Sequence, residues 1–208
     1  MIAIIDYGMG NLHSVGKAVE RLGYEVVVTA DASQIMASSA AILPGVGAFG
    51  DAVSELRSSG LFEVVRNYAR SGKPLLGICL GMQLLFDKSE EHGVHEGLGL
   101  LPGHVLRFQG DFKVPHMGWN KLQYTKAGAA GALLAGLEEG HVYFVHSYHV
   151  KPDRPGDLLA SADYYGPVTA IVGHENVYGM QFHPEKSGEL GIKLLGQFLQ
   201  LSHQFAGR

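Results

Sequence analysis

The chain has 208 residues and only one cysteine, Cys79. A single thiol cannot form an internal disulfide or a zinc site built from several cysteines, so the fold does not depend on either. Basic runs are also missing, because the 16 lysines and arginines are scattered along the chain. Together with a formal net charge of -4, this scatter argues against a nucleic-acid-binding protein.

Long apolar runs are absent as well. The longest uncharged apolar stretch, Pro74–Phe86, is shorter than the roughly 20 residues that a membrane-spanning helix needs. The N-terminus has no basic segment before its apolar residues Ile2–Ile5, which is unlike a secretory signal peptide. We therefore expect a soluble, cytoplasmic protein.

Glycine, in contrast, is abundant. The chain has 29 glycines, about twice the usual proportion, and such an excess indicates many tight turns and close approaches of the backbone. Hydrophobic residues make up 46% of the chain and charged residues 17%, a balance that excludes a disordered protein. A chain of this length buries roughly 70% of its surface on folding, which is enough for a stable core.

The first half of the chain alternates two patterns. Short runs rich in Ile, Val and Leu predict strands at Ile2–Ile5, Glu25–Thr29, Ala40–Leu43 and Pro74–Ile78. Apolar residues at helical spacing predict helices at Asn11–Leu22, Phe49–Ser59 and Leu61–Ser71. Buried strands that alternate with helices form parallel sheets covered on both faces.

The second half has strand patterns in quick succession, followed by one helix. The predicted strands are Val105–Phe108, Val142–Val145, Leu158–Tyr164, Val168–Val172 and Val177–Phe182, and the helix is Ser187–Phe205. Short turns between some of these strands favour antiparallel hairpins. The whole pattern predicts an α/β fold: one three-layer sandwich over residues 1–208, with a mostly parallel central sheet and antiparallel additions in the second half.

The segment Gly77-Ile-Cys79-Leu-Gly81 lies between a predicted strand and a predicted apolar helix. This pattern is typical of a nucleophile elbow, here with sulfur in place of a hydroxyl. The glycines leave room on both sides of a strained turn, and the N-terminus of the following helix favours the thiolate. The alternative is that Cys79 only fills the core, as cysteines often do.

A cysteine nucleophile needs a base, and the base needs an orienting group. His183 follows a late predicted strand, and Glu185 comes two residues later. His183 would carry the proton to a leaving amine, while Glu185 would hold the imidazole and stabilise its charged form. The alternative is an ordinary turn at the end of a strand, with an exposed carboxylate.

Two other patterns in the sequence do not support a nucleotide or metal site. Gly8-Met-Gly10 follows the first strand, but His13 stands where the third glycine of a dinucleotide-binding fingerprint would be. The histidine pairs in His92–His95 and His146–His149 lack a neighbouring carboxylate at helical spacing and a cysteine. We therefore expect no cofactor and no metal ion.

Several segments together resemble the class I (triad-type) glutamine amidotransferases, and the resemblance runs along almost the whole chain. It is carried by Gly77-Ile-Cys79-Leu-Gly81-Met-Gln83, by His183-Pro-Glu185 and by Pro44-Gly-Val-Gly-Ala-Phe49. Three further segments resemble one branch of that family, the glutaminase subunits that serve histidine biosynthesis: Asp6-Tyr-Gly-Met-Gly-Asn11, Pro115-His-Met-Gly-Trp119-Asn120 and His183-Pro-Glu-Lys186.

The resemblance implies a role for each matching residue. Cys79 would be the nucleophile, His183 the general acid and base, and Glu185 its orienting group. The remaining implied roles are oxyanion stabilisation by the backbone at Val46, Gly47 and Leu80, glutamine binding at Gln83, Glu91, Ser147 and Tyr148, and contact with a partner subunit at Asn11, Trp119, Tyr143 and Lys186. For Glu91 an exposed surface acid is an equally good interpretation.

The resemblance also implies a partner. A glutaminase releases ammonia, and all 208 residues belong to the amidase-like pattern, so a separate chain is expected to consume that ammonia. In the family branch named above, the ammonia-consuming partner is a (β/α)8-barrel cyclase subunit, which forms a heterodimer with the glutaminase.

Two alternatives remain open at this point. The chain resembles, less well, amidotransferase subunits of other pathways such as pyridoxal phosphate or anthranilate synthesis, and the segment Pro115–Asn120 is the feature against them. A catalytically silent binding subunit on an α/β scaffold is the other alternative. The complete set of Cys79, His183 and Glu185 argues against a silent subunit.

Overall fold

The computed structural model describes residues 1–205. The helices are α1 (Leu12–Arg21), α2 (Ala32–Ala37), α3 (Phe49–Ser58), α4 (Leu61–Arg70), α5 (Leu80–Leu84), α6 (Lys126–Ala130) and α7 (Gly188–Phe205). The strands are β1 (Ile2–Ile5), β2 (Val26–Thr29), β3 (Ala40–Leu43), β4 (Leu75–Ile78), β5 (Phe86–Ser89), β6 (His95–Glu96), β7 (Leu101–Arg107), β8 (His116–Tyr124), β9 (His141–His146), β10 (Tyr148–Pro152), β11 (Leu158–Asp163), β12 (Pro167–His174) and β13 (Val177–Met180).

A nine-stranded sheet runs in the order β2-β1-β3-β4-β13-β12-β11-β8-β9. The strands from β2 to β13 pair in parallel, and those from β13 to β9 pair antiparallel. The predicted α/β class with antiparallel additions in the second half is therefore confirmed, although the sheet is more evenly mixed than expected. A second sheet, ordered β10-β7-β5-β6, was not predicted.

Successive side chains of β1 pack alternately against the helices on the two faces of the sheet. Every residue of β1 is buried, but Ile2 and Ile4 pack into one core with residues of α1 and α7. Ala3 and Ile5 point to the other face and pack into a second core with residues of α2, α3, α4 and α5. Because successive side chains of a strand point to opposite faces, a run of apolar residues serves two cores at once.

Two strands that the sequence did not predict, β5 and β10, have patterns that are short or that resemble a helix. β5 begins at Phe86, within the stretch that was interpreted as an apolar helix after Cys79. β10 follows β9 after a single residue, Ser147, and joins the other sheet by pairing with β7. Local periodicity cannot show that two consecutive strands belong to different sheets.

The strand order places three chain segments at one edge. β4 lies between β3 and β13, with Leu43 opposite Gly77 and Ile78 opposite Met180. The residues that follow these strands therefore emerge side by side at the carboxyl edge, where open α/β sheets bind ligands. Among the helices described, none is both long and apolar enough to cross a membrane.

Candidate active site

The turn after β4 holds Cys79 in a strained backbone conformation, with φ 54° and ψ -114°. A positive φ is costly for any residue with a side chain and is found where the surrounding structure enforces it. Here the Cys79 N–H donates to the carbonyl of Met180 at 2.8 Å, which ties the turn to β13. This geometry is that of a nucleophile elbow, as the sequence predicted.

Both glycines of the elbow are required by space. A Cβ at Gly81 would lie 1.8 Å from the carbonyl oxygen of Leu43, and a Cβ at Gly77 would lie 2.5 Å from the carbonyl oxygen of Gly81. Both neighbours are backbone atoms that cannot move aside. The elbow is therefore packed directly against β3, the strand that leads to the glycine-rich loop.

The helix after the elbow is shorter than predicted. α5 contains five residues, and the chain turns into β5 at Phe86. The apolar helix predicted between Cys79 and Phe86 is present over Leu80–Leu84, and the chain then continues through Leu85 and Phe86 into the core next to the second sheet. A helix of little more than one turn contributes only a small dipole at Cys79.

His183 and Glu185 form a buried pair at the same edge. Nδ1 of His183 lies 2.8 Å from Oε1 of Glu185, whose side chain is 1% exposed. The other carboxylate oxygen, Oε2, has no hydrogen-bond partner among the residues described. Burial alone would lower the pKa of His183, but Cys79 on one side and Glu185 on the other raise it to about 9. The imidazole is therefore positively charged at neutral pH.

A second histidine, His146, also lines the cleft beside Cys79. Its Nδ1 lies 2.7 Å from the carbonyl oxygen of Tyr148, and its Nε2 lies 2.9 Å from Nδ1 of His116. Burial lowers the pKa of His146 to about 3. Because both of its nitrogens are occupied and the ring is neutral, His183 is the histidine suited to transfer protons at Cys79.

A cleft of about 330 Å³ opens over Cys79. It is lined by Val46, Gly47, Cys79, Leu80, Gln83, Glu91, Val145, His146, Ser147, Tyr148 and His183. The structure thus brings together the residues predicted for catalysis, oxyanion stabilisation and glutamine binding; Glu185 lies behind His183. The volume suits a ligand of the size of an amino acid.

Glu91 belongs to this cleft but is not a free surface acid. One of its oxygens, Oε2, accepts a hydrogen bond of 2.9 Å from the Phe49 N–H at the start of α3. The carboxylate is thereby held in the lining of the cleft. This position is compatible with the implied role in binding an ammonium group.

The segment Pro44–Gly47, called here the oxyanion loop, follows β3. Its first residue is held firmly, because the Tyr7 hydroxyl donates to the Pro44 carbonyl oxygen at 2.7 Å. Burial, and to a smaller extent the nearby Cys79, raise the pKa of Tyr7 well above its usual range, so the phenol stays protonated and keeps donating. The tip is open: Val46 is 44% exposed, and Gly47 has φ 98°.

The residues implied to contact a partner lie on or near the surface. Trp119 is 55% exposed and its ring lies 5.9 Å from that of Tyr143. Lys186 is exposed and Asn11 is half-buried. The Tyr143 carbonyl accepts a bond of 3.3 Å from the His183 N–H, so this surface is connected to the cleft through the backbone.

Sequence reasoning missed two residues near the thiol, Gln181 and Tyr7. Gln181 is fully buried, and its Nε2 lies 3.8 Å from Sγ of Cys79. Its position two residues before His183 could have revealed it, because residues two apart in an extended chain share a face. Tyr7 had no such signal, since only the tertiary fold brings the end of β1 against the end of β3. No metal-binding group of three His, Cys, Asp or Glu side chains occurs within residues 1–205.

Comparison with known sequences points in one direction. The family model for "Glutamine amidotransferase class-I" matches residues 3–200. The chain is 54% identical over 205 residues to the imidazole glycerol phosphate synthase subunit HisH of Geobacillus thermodenitrificans, covering 96% of this chain and 95% of that protein. It is 52% identical over 204 residues to the HisH subunit of Halalkalibacterium halodurans, covering 95% and 94% of the two chains.

Solved structures show the same fold at lower identity. A crystal structure of a glutamine amidotransferase matches with a TM-score of 0.76 and 22% identity, covering 97% of this chain and 98% of the other. A structure of PurLQS from Thermotoga maritima matches with a TM-score of 0.72 and 20% identity, covering 96% and 97%. At such identities the likeness concerns the fold alone.

Proposed function

The chain belongs to the class-I glutamine amidotransferase family, and from this premise we propose that it hydrolyses glutamine to glutamate and ammonia through a triad of Cys79, His183 and Glu185. One observation carries the proposal: the strained Cys79 and the buried His183–Glu185 pair meet at one cleft. A cysteine that merely filled the core would need neither the strained backbone nor a charged imidazole beside it.

The reaction follows from these groups. The Cys79 thiolate attacks the carboxamide carbon of glutamine, and the oxyanion that forms accepts hydrogen bonds from the backbone N–H groups at Leu80 and in the oxyanion loop. The His183 imidazolium gives its proton to the leaving amine, so ammonia departs and a thioester remains. The neutral imidazole then takes a proton from water, which attacks the thioester and releases glutamate.

Glutamine is proposed to bind by its backbone end at the far side of the cleft. Glu91 would accept the α-ammonium group, and the backbone at Ser147 and Tyr148 would bind the α-carboxylate. Gln83, one helical turn after Cys79, would contact the bound substrate. Support comes from the position of all four residues in the lining of the same cleft.

We further propose that the ammonia passes to a (β/α)8-barrel cyclase, the second subunit of an imidazole glycerol phosphate synthase heterodimer in the cytoplasm. There it would serve histidine biosynthesis, converting a formimino ribonucleotide precursor into imidazole glycerol phosphate and an aminoimidazole carboxamide ribonucleotide. Residues 1–208 would act as one amidotransferase domain. Support comes from the relatives' names and from the exposed Trp119 and Met117, since large exposed apolar side chains mark interaction surfaces.

The test is a complex of this chain with the cyclase, carrying Cys79→Ala. Glutamine-dependent synthesis should disappear, while synthesis with added ammonium salt continues, because the cyclase needs ammonia from any source. Losing the nucleophile of a covalent mechanism costs orders of magnitude in rate. Substantial glutamine turnover by Cys79→Ala would refute the triad.

A second arm tests the partner. Lys186→Ala should weaken the complex in titration calorimetry or uncouple glutaminase activity from the cyclase. Lys186 directly follows the triad, and we propose that it forms an ion pair with the cyclase that docking buries, so that removal of its charge is costly. If binding and coupled activity both stay unchanged, Lys186 is an exposed charge with no role in docking.

A further inference from the structure

The side-chain amide of Gln181 is buried against the thiol of Cys79, and nothing in the proposed reaction uses it. Nε2 of Gln181 lies 3.8 Å from Sγ, and Oε1 of Gln181 accepts a bond of 3.1 Å from Nε2 of Gln83. The same Nε2 of Gln83 also donates to the carbonyl oxygen of Tyr148 at 3.1 Å. A chain of two amides therefore connects a backbone carbonyl to the nucleophile.

The Tyr148 carbonyl determines which way the two side-chain amides are oriented. The Tyr148 carbonyl oxygen can only accept hydrogen bonds, so the group of Gln83 that faces it must be the NH₂. The second hydrogen of that NH₂ then points to Gln181, whose facing atom must be its oxygen. The atom of Gln181 left to face Sγ is its NH₂, a donor.

Reversing either side-chain amide would leave polar atoms without a hydrogen-bond partner. With Gln83 reversed, two oxygens would face each other at Tyr148, a buried acceptor pair without a proton. With Gln181 alone reversed, its NH₂ would meet the NH₂ of Gln83. Since amide oxygen and nitrogen are otherwise hard to tell apart, the fixed backbone carbonyl is what makes the assignment unambiguous.

We propose that Gln181 is a further catalytic residue, which donates a hydrogen bond to the Cys79 thiolate and is oriented for this by Gln83 and the Tyr148 carbonyl. A donor stabilises a thiolate and does nothing comparable for the thiol. The Val145 carbonyl oxygen, 4.0 Å from Sγ, has the opposite effect, because it can accept a hydrogen bond only from the protonated thiol. The bond from Gln181 to the thiolate would offset this preference for the thiol. The proposal rests on Cys79 being the nucleophile.

Alkylation by iodoacetamide provides the test, because the thiolate is the reactive form and Cys79 is the sole cysteine of the chain. The rate is measured by mass spectrometry from pH 5 to pH 10 on the whole chain, for wild type, Gln181→Met, Gln181→Glu and Gln83→Met. Gln123→Met, at an exposed position, is the matched control. Melting temperatures are recorded for all variants.

For Gln181→Met we expect the pH of half-maximal alkylation to rise by about one unit, which is about a tenfold loss of rate below that midpoint, since hydrogen bonds to charged groups are among the stronger ones. Gln181→Glu keeps the volume and the acceptor for Gln83 but turns an oxygen towards Sγ, so its midpoint should rise further. Gln83→Met should give a smaller rise, because Gln181 loses its orientation but keeps its NH₂. Gln123→Met should match wild type.

A purely structural role for Gln181 would lower the melting temperature and leave the midpoint in place. Unchanged midpoints in both Gln181→Met and Gln181→Glu would therefore overturn the proposal, even if one of them is destabilised. The readout does not require glutamine, so shifted midpoints in a chain without glutaminase activity would refute the proposed function, and with it the catalytic role of Gln181, but would support the hydrogen bond from Gln181 to Sγ. In the active enzyme, Gln181→Met should lower kcat and leave KM for glutamine within about twofold.

Discussion

The elbow around Cys79 and the oxyanion loop line the same cleft, yet they are held in opposite ways. The elbow is fixed by backbone contacts on every side: Cys79 bonds to β13, and Gly81 touches the backbone at the end of β3. The oxyanion loop is tied at Pro44 by Tyr7 and is then exposed at Val46 and Gly47. Cys79 is held by its neighbours, while the tip of the oxyanion loop is open to solvent.

This difference shows where control of activity can reside. Pro44 fixes φ at one end of the loop, and Gly45 is packed against the elbow, while the peptide between the exposed Val46 and Gly47 has room to turn. A peptide here can present either its carbonyl or its N–H to the cleft. A misdirected oxyanion donor costs roughly 3–4 kcal/mol of transition-state stabilisation, a rate factor of about 10²–10³. We therefore expect changes in the elbow to affect all activity and changes in the loop to affect its stimulation by the cyclase.

The largest effect is expected from Gly81→Ala. The new Cβ would lie 1.8 Å from the Leu43 carbonyl oxygen, so the elbow and β3 cannot both keep their positions. The variant should fail to fold or lose all glutaminase activity, as measured by circular dichroism and by glutamate release. Gly156→Ala is the matched control, because a Cβ there meets nothing within 4 Å, and it should behave as wild type. A folded, active Gly81→Ala would show that the elbow is not rigid.

The next largest effect is expected from His183→Ala, compared with Glu185→Gln. Loss of the proton carrier should lower the rate by roughly 10²–10⁴-fold. Glu185→Gln should cost less, because the ring keeps a hydrogen-bond partner and loses only the charge that stabilises the imidazolium. In both variants, basal and cyclase-stimulated rates should fall by the same factor, as measured by steady-state kinetics. Equal or reversed severity would mean that the two roles are misassigned.

Gly47→Ala tests the exposed tip of the oxyanion loop. With φ at 98° and a Cβ 3.0 Å from the methyl group of Met9, the alanine variant is strained by roughly 1–2 kcal/mol. We expect the stimulated rate to fall by about 10-fold or more while the basal rate changes little. Gly72→Ala, which also has a positive φ but no neighbour within 4 Å, controls for strain alone. If the wild-type chain hydrolyses glutamine equally fast with and without the substrate-loaded cyclase, there is no stimulation for the loop to control.

Tyr7→Phe should have the smallest effect. It removes one buried hydrogen bond and leaves the Pro44 carbonyl without its donor, at a cost of about 1–3 kcal/mol. The melting temperature should fall by a few degrees, and the ratio of stimulated to basal rate should change by less than about tenfold. An altered Cys79 alkylation rate with an unchanged ratio would place the effect of Tyr7 at the elbow instead of at the oxyanion loop.

Much of the fold was predictable because its first half relies on local patterns. The runs Ile2–Ile5 and Ala40–Leu43 became strands with the predicted ends, and the helix predicted at Phe49–Ser59 ends one residue earlier. The antiparallel half was harder. β10 carries no distinctive pattern, and its place beside β7 depends on a pairing between residues 41 to 49 positions apart, which local sequence does not encode.

The candidate site also contains some residues that local sequence patterns predict and some contacts that only the tertiary fold creates. Cys79, His183 and Glu185 could be named from the sequence because strand ends, glycines and a short spacing mark them. The residues Tyr148, Gln83 and Gln181 carry local signals, but the hydrogen bonds that join them, and the bond from Tyr7 to Pro44, could not be predicted. Each joins residues from different elements, and a lone glutamine or tyrosine has the same local pattern whether or not it reaches a functional group.

By itself, the sequence determined which elements form and which residue types stand at their ends, because periodicity, glycine placement and strand-end motifs act over a few neighbouring residues. Only the tertiary structure decided which of two histidines at the cleft carries a charge. His146 and His183 are both buried beside Cys79, but His146 has two neutral partners and a pKa of about 3. His183 has Cys79 and Glu185 and a pKa of about 9. Proton affinity in a protein interior is set by the charges and dipoles that the fold brings within a few ångströms, and these come from distant parts of the chain.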